Sequence, residues 1–425
     1  MELVEFIIKH PHPNPPPSSG RESKKYTPPS SGRESKKYTP PSSGREYLYK
    51  SPPLAGGARG GGLKSLNLCD NYSSRLTKIR ESIKRKGIDG FLVTDINNVR
   101  YLTGFSGSSG LILITRKETF FVTDFRYKEQ TEKELQGWDI VIGKGDMIKT
   151  IKGLSKKTGI KKLGFESSMA YEVFRRLSKI GLSLNAFEGL IERLREIKDA
   201  IEINLIKEAV RRAETAFLDV KPYIRQGIRE RAIALRLEER LKKNGCRHIP
   251  FDVIVASGPN SAMPHAKPTE RKLNKSDLII IDWGGEADGY FSDMTRTLLV
   301  KGDNVSKKRE IYQIVLKANK RAILRILPGV KSKDIDFSAR KIIKKAGYGE
   351  FFGHGTGHGV GLQVHELPRI TWNKIGIIKG DMVFTIEPGI YIPGLGGVRI
   401  EDMVVVKPGG HEVLTTLPKE IEIIN

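Results

Sequence analysis

Thirteen residues, His354 to Glu366, hold four glycines and three of the chain's eight histidines. Glycine lets a backbone turn sharply and approach a ligand closely. Histidine is the commonest metal ligand and titrates nearest neutral pH. Four carboxylates elsewhere lie in or beside apolar, strand-like runs. Asp282 closes the run Leu278-Ile279-Ile280-Ile281, and Asp293 follows eleven residues later. Glu387 stands in Phe384-Thr385-Ile386-Glu387-Pro388-Gly389, and Glu401 in Val398-Arg399-Ile400-Glu401-Asp402-Met403. A carboxylate buried alone is costly or stays protonated, and like charges brought together need cations between them. With His358 as the nitrogen, the four acids make a mostly oxygen-donor set. That chemistry suits Mn, Co, Fe or Zn in a two-metal arrangement. A zinc finger is excluded, because the chain's two cysteines are Cys69 and Cys246. Arg399, two residues before Glu401 on the same strand face, could clamp a metal-binding carboxylate in a bidentate pair.

The order Asp282, Asp293, His358, Glu387, Glu401 resembles that of the pita-bread metallopeptidases, the family of methionine aminopeptidase, aminopeptidase P, prolidase and creatinase. The spacing is similar to the aminopeptidase P and prolidase branch. So is Pro264-His265, seventeen residues before Asp282. The segment Tyr101-Leu102-Thr103-Gly104-Phe105-Ser106-Gly107-Ser108-Ser109-Gly110 resembles a creatinase-type N-terminal domain in its aminopeptidase P form. As a phosphate cradle it lacks the closing Gly-Lys-Ser/Thr. The resemblance covers roughly residues 70 to 425.

The resemblance implies two divalent metal ions per chain, manganese first with cobalt or zinc as alternatives, on Asp282, Asp293, His358, Glu387 and Glu401. A hydroxide bridging the ions would attack the scissile carbonyl, and Glu387 would pass the water proton to the leaving nitrogen. His265 and His365 would hydrogen-bond the developing oxyanion or the leaving side. Arg369 resembles a substrate-lining residue. Tyr391 resembles a substrate-site tyrosine, with a buried tyrosine of satisfied hydroxyl as the alternative. His354 is placed in the substrate site, against a support of the ligand loop or a core histidine.

The expected activity is a Xaa-Pro aminopeptidase acting on small proline-containing peptides, tipped by the Gly104–Gly110 segment. Its alternative is prolidase, the Xaa-Pro dipeptidase. A non-enzymatic binding protein on the same fold ranks below both, because the ligand set is complete. Methionine aminopeptidase is disfavoured by the extra N-terminal domain, and creatinase by its incomplete metal set. A homodimer is expected.

Such ligands need rigid elements to hold them. The leading expectation is an α/β creatinase-like N-terminal domain over residues 71–198. An α+β pita-bread catalytic domain with a curved antiparallel sheet follows over 199–425. A helix is predicted from Arg75 to Lys86, capped by Ser73 and stopped at Gly87, with Leu76, Ile79 and Ile83 on one face. Gly90–Thr94, Leu111–Thr115 and Thr119–Thr123 read as strands, and Phe125–Leu135 as a helix. Alternating strands and helices argue an α/β unit. Helix-rich sequence from Ile191 to Val220 leads on, with Arg195–Glu202 as the expected hinge. Asp282 and Asp293 share an early hairpin, and Glu387 and Glu401 a late one, so the metals should lie between two halves.

Residues 16–46 repeat Pro-Pro-Ser-Ser-Gly-Arg-Glu-Ser-Lys-Lys-Tyr-Thr with a period of twelve. With almost nothing apolar to bury, residues 1–70 are expected to be a disordered low-complexity tail, translated from a misplaced start. The net charge of +24 invites a nucleic-acid partner. It is spread along many helices with no basic, aromatic-interleaved stripe, so a solvated surface is preferred. No apolar run approaches the ~20 residues that span a bilayer, and the two cysteines offer no disulfide framework. The expected location is the cytoplasm.

Overall fold

The structure is a computed structural model that describes residues 68–425 other than Gln136 and Lys144. The expectations for residues 1–67 lie outside the described residues. Among the described residues, no helix is long and apolar enough to cross a membrane.

The first helix runs Leu68–Arg85, about two turns earlier than the capping pattern predicted. Ser73 therefore lies inside it, and its carbonyl accepts from the Thr77 hydroxyl at 2.9 Å instead of starting the helix. Gly87, at φ +64°, ends the segment in the left-handed region that glycine enters without strain. A six-stranded sheet follows, in the order 139–142, 119–123, 111–115, 90–93, 162–166, 183–187. The strand 111–115 pairs antiparallel with both of its neighbours, and the remaining pairs are parallel. All five residues of Leu111–Thr115 are buried, because both faces of the sheet are covered. The period of two sorts them: Ile112 and Ile114 meet Ile79 and Ile83 of the first helix, while Leu111 and Leu113 meet Ile148, Ile151 and Leu154 of the helix Met147–Lys157. The 125–135 helix begins as a 3-10 turn, Phe125–Tyr127, and becomes α-helical over Lys128–Glu134.

The helix Ala200–Val220 starts with a capping box. The Asp199 carboxylate accepts from the Glu202 N–H at 3.0 Å, and the Glu202 carboxylate from the Asp199 N–H at 2.9 Å. Its buried face, with Ile206, Val210, Ala213 and Phe217, joins the core under the first sheet to Trp283 and the strands beyond. The Phe217 and Trp283 rings stack at 4.5 Å.

Two further sheets carry the candidate ligands. One has the order 422–424, 294–300, 278–283, 254–257; the other is antiparallel throughout, in the order 366–370, 357–359, 383–386, 402–407, 410–413. Behind them, Ser306–Leu324 and Ser332–Lys345 bury Ile311, Val315, Ala318, Ala322, Ile335 and Ala339 against Ile386, Ile400 and Val404.

The expected hinge is pinned. Arg195 and Lys198 are buried, the Lys198 N–H donates to Asp381 O at 3.0 Å, and Ile197 forms a bridge with Met382. Both cations point at one buried carboxylate, Glu366, and that pairing fastens the link between the two halves.

Candidate metal centre

Each candidate ligand sits where a strand hands its backbone to the site. Asp282 is the penultimate residue of Leu278–Trp283 and pairs in register with Thr295. Asp293 stands just before Met294–Val300, after a tight turn with Asp288 and Gly289 at positive φ. Glu387 follows Val383–Ile386, and Glu401 lies between Gly396–Arg399 and Asp402–Lys407. His358 is central in Gly357–Gly359, which slots between the strands Glu366–Ile370 and Val383–Ile386. The flanking glycines are needed for that slot. A Cβ on Gly357 would lie 1.9 Å from Thr385 O, and one on Gly359 2.0 Å from Leu367 O. These two glycines thus admit neighbouring strands rather than a ligand.

The side chains converge. One ligand atom each from Asp282, Asp293 and Glu401 lie within 4.8 Å of one another, as do atoms of His358, Glu387 and Glu401. His358 Nε2 is 3.5 Å from Asp293 Oδ2 and 3.4 Å from Glu387 Oε1. Its Nδ1 lies 3.1 Å from Gly359 O, a bond that fixes the proton on Nδ1 and turns the Nε2 lone pair into the cluster. Threonines orient the acids: Thr295 donates to Glu401 Oε2 at 2.7 Å, and Thr385 faces Glu387 Oε1 at 3.5 Å.

The electrostatics show what this cluster lacks. Burial, and then the charges of Glu401, Asp282 and Glu387, hold the Asp293 carboxyl well above the usual carboxylate range. Burial, with Glu387 and Asp282, does the same to Glu401. Burial first and Asp282 next push Glu387 up to about 7. Burial and the neighbouring His365 push His358 down to about 3. Asp282 Oδ1 and Asp293 Oδ1 are buried with no hydrogen-bond partner among the described residues. Orphaned acceptors, mutually repelling acids and a neutral imidazole fit a pair of divalent cations, which would satisfy all three at once.

The cluster forms the floor of a cavity of about 800 Å³. His265, His354, His365, Arg369 and Arg399 also line it. His265, His365 and Arg369 are exposed to it, and the His365 ring centre is 4.2 Å from that of His358. Tyr391 is not among the lining residues. It is buried, its hydroxyl accepts from Arg399 Nη1 at 2.9 Å, and it stands 2.9 Å from His354 Nε2. His354 Nδ1 is bonded to Gly355 O at 2.8 Å, and burial pushes this ring down to about 4. Tyr391 and His354 thus bond each other and the protein, as in the alternatives of a buried tyrosine and a loop support, and His354 keeps a place on the cavity wall. Arg399 differs from expectation. Its fork is shared among Asp282 Oδ2 at 2.6 Å, Tyr391 Oη, Thr295 Oγ1 and Pro264 O, so it braces Asp282 through one bond and not through a bidentate pair.

A two-part chain with a carboxylate-rich pocket on paired antiparallel strands defines a class of metal-dependent hydrolase. Residues 204–408 match metallopeptidase family M24, and residues 75–197 match the creatinase/prolidase N-terminal domain. A Xaa-Pro dipeptidase of Pyrococcus horikoshii is 38% identical over 357 residues, 83% of this chain and 99% of that protein. The structure of a Xaa-Pro dipeptidase from Bacillus anthracis superposes with a TM-score of 0.81 at 40% identity, covering 83% of this chain and all of that one. An X-Pro aminopeptidase from Thermotoga maritima gives 0.75 at 37% identity, covering 82% and 99%. The chain belongs to metallopeptidase family M24. It has the pita-bread catalytic fold behind a creatinase-type N-terminal domain, and it is a metallopeptidase of a family that works with two divalent metals.

Proposed function

We propose that this metallopeptidase is a Xaa-Pro dipeptidase. The observation that carries the reading is the match to Xaa-Pro dipeptidases at 38–40% identity over essentially their whole length, joined to a complete five-residue donor set. Expected from the Gly104–Gly110 segment, the aminopeptidase is now the second reading, supported by the Thermotoga likeness.

Two divalent cations on Asp282, Asp293, His358, Glu387 and Glu401, manganese first, would polarise the scissile carbonyl and acidify the attacking water. The protein's own groups supply the rest. Glu387 lies at the edge of the cluster, less buried than Asp293 or Glu401, and lines the cavity. It takes the proton of the attacking water and delivers it to the prolyl nitrogen, which has no hydrogen of its own. His265 and His365, exposed on the cavity wall, donate hydrogen bonds to the developing oxyanion. Arg369 offers a cation to the free carboxylate, which in a dipeptide follows the proline directly. Arg399 holds Asp282 in place through its 2.6 Å bond.

Hydrolysis of Ala-Pro against Ala-Pro-Ala tests this, with Mn, Co and Zn each returned to metal-stripped protein. The dipeptidase reading expects turnover of Ala-Pro and little of the tripeptide. Release of alanine from Ala-Pro-Ala at equal or greater kcat/KM would move the assignment to the aminopeptidase.

A further inference from the structure

Asn319 is a polar residue in an apolar stripe. On the helix Ser306–Leu324 it shares the buried face with Ile311, Val315, Ala318 and Ala322, and none of its surface is exposed. A buried amide is retained without penalty only where its hydrogen bonds are made. Here all are. Its Nδ2 donates to Ile386 O at 3.0 Å and to Ile400 O at 3.2 Å, and its Oδ1 accepts from Lys419 Nζ at 3.3 Å.

Those two carbonyls are the ones immediately preceding Glu387 and Glu401. The opposite ends of the same two peptide units are also held. Glu387 N–H donates to Thr356 O at 2.8 Å, and Glu401 N–H to Thr295 O at 3.1 Å. One side chain thus fixes, from behind the sheet, the peptide planes from which two carboxylates enter the cluster. A rigid peptide unit on the N-terminal side of each glutamate fixes its Cα and the N–Cα bond about which its side chain turns, leaving φ as the one backbone rotation between the held plane and the carboxylate's Cβ. The support continues behind it. Lys419 Nζ also lies 2.9 Å from Asp402 Oδ2, and Arg296 joins Asp402 Oδ1 at 2.9 Å to the carbonyl of Glu401 at 2.6 Å.

We infer that Asn319 is a positioning residue for the metal centre, setting the mutual placement of Glu387 and Glu401 without touching substrate or metal. The inference rests on the reading of those two residues as ligands. The test is titration of Mn2+ into metal-stripped full-length protein, followed by steady-state kinetics. Asn319→Leu keeps the size and removes both donors. It should bind Mn2+ ~10–100-fold more weakly, the range seen when supports of metal ligands are removed. Its kcat should fall while KM for Ala-Pro stays near the wild-type value. Ile323→Ala, a buried change on the same helix with no bond to either carbonyl, should lower the melting temperature and leave Mn2+ affinity unmoved. Asn319→Ser retains one hydroxyl donor and should fall between wild type and the leucine variant; it also serves if the leucine variant does not fold. Wild-type Mn2+ affinity in the leucine or serine variant, or an equal loss in Ile323→Ala, overturns the inference. Wild-type protein that takes up no Mn2+ overturns the ligand reading itself, and this inference with it.

Discussion

Two of the places where the molecule buries acids differ in what faces them. At the junction between its halves, Glu366 meets two cations: Lys198 Nζ is 2.9 Å from Oε1, and Arg195 Nη2 is bonded to Oε2. Burial alone would raise this carboxyl, yet Lys198 and Arg195 hold it below the usual range. Arg195 also donates to Asn98 Oδ1 at 2.9 Å, and Asn98, on the helix Ile96–Thr103, donates to Glu166 of the first sheet and so ties it into the same network. In the cavity floor, Asp293, Glu387 and Glu401 face chiefly one another, and all three carboxyls are raised. One network finds its opposite charges within the chain, although Arg195 Nε is buried without a hydrogen-bond partner among the described residues. The other is complete only with ions added. Burial therefore does not by itself separate structural from functional acids; the sign of the neighbouring charges does.

The sharpest way to break this contrast is to remove one acid from each region. Asp293→Ala or Glu401→Ala should reduce Ala-Pro turnover by more than ~100-fold, the upper end for loss of a mere support. Because each takes a repelled acid out of a crowded site, the metal-free variant should melt no lower than metal-free wild type. Calorimetric melting with and without Mn2+ reads both effects. Retained turnover in Asp293→Ala would end the two-ion assignment.

Glu366→Leu should do the opposite. It leaves Arg195 and Lys198 buried without their carboxylate, a loss of about 3–5 kcal/mol. Urea denaturation would measure it. Replacing Arg195, Lys198 and Glu366 together by Met, Met and Leu should return much of that stability, because the desolvated charges go as a set. If the triple variant is less stable than Glu366→Leu, the junction is more than a self-contained ion network.

Much of the catalytic half was legible in the sequence, and the reason is chemical. Asp282, Asp293, Glu387 and Glu401 stood out because acids beside runs such as Leu278–Ile281 contradict their surroundings. The strands Leu111–Thr115 and Thr119–Thr123 were legible to the residue, since their apolar runs end at turn residues. The junction was not. Arg195 and Lys198 were read only as part of a hinge, since nothing local marks a charge whose partner, for Arg195, is 171 residues away. Thr295 and Asn319 were missed for the same reason, although an asparagine within the stripe Val315, Ala318, Ala322 was a local signal. Tyr391 and His354 were left between a substrate-site and a supporting role because sequence order does not reveal which hydroxyl meets which ring.

A third test uses pH on the metal-free protein. Glu387 holds its proton up to about 7 when folded, well above an unfolded glutamate, so the folded state binds more protons than the unfolded one between pH 6.5 and 8. Stability contributed by such a group is full below its unfolded pKa and is lost as pH rises through 7. The metal-free protein should therefore melt higher at pH 6.5 than at pH 8. Below pH 6.5 the trend should flatten, because His354 and His358, pushed down to about 4 and about 3 by burial, oppose it. Mn2+ should abolish the slope between pH 6.5 and 8 by stabilising the ionised acids. A slope unchanged by Mn2+ would place its origin outside the cluster.

The smallest effect is expected at the surface, where charge pairing resembles the junction but lacks its burial. The Glu208 carboxylate accepts from Arg211 Nε at 2.7 Å and Arg212 Nε at 2.9 Å, and these bonds, Arg211's first, pull its carboxyl down to about 2. That lowering would stabilise the fold above the unfolded glutamate pKa and be lost as pH falls toward 2. Water and salt reach this pair, however. About a third of the Glu208 side chain is exposed, and Arg211 remains 65% exposed. Screening and the entropy of two long side chains leave such pairs ~0.2–1 kcal/mol. Glu208→Gln should accordingly lower stability at pH 7 by ~0.5 kcal/mol in low salt and by less in 1 M NaCl, where the Debye length is ~3 Å. Urea midpoints for Glu208→Gln and Glu366→Leu at both salt concentrations make the comparison directly. The junction variant should keep its deficit in high salt, because its charges are shielded by protein. A surface loss above ~2 kcal/mol, or a junction loss that salt erases, would mean that desolvation is not what separates the two.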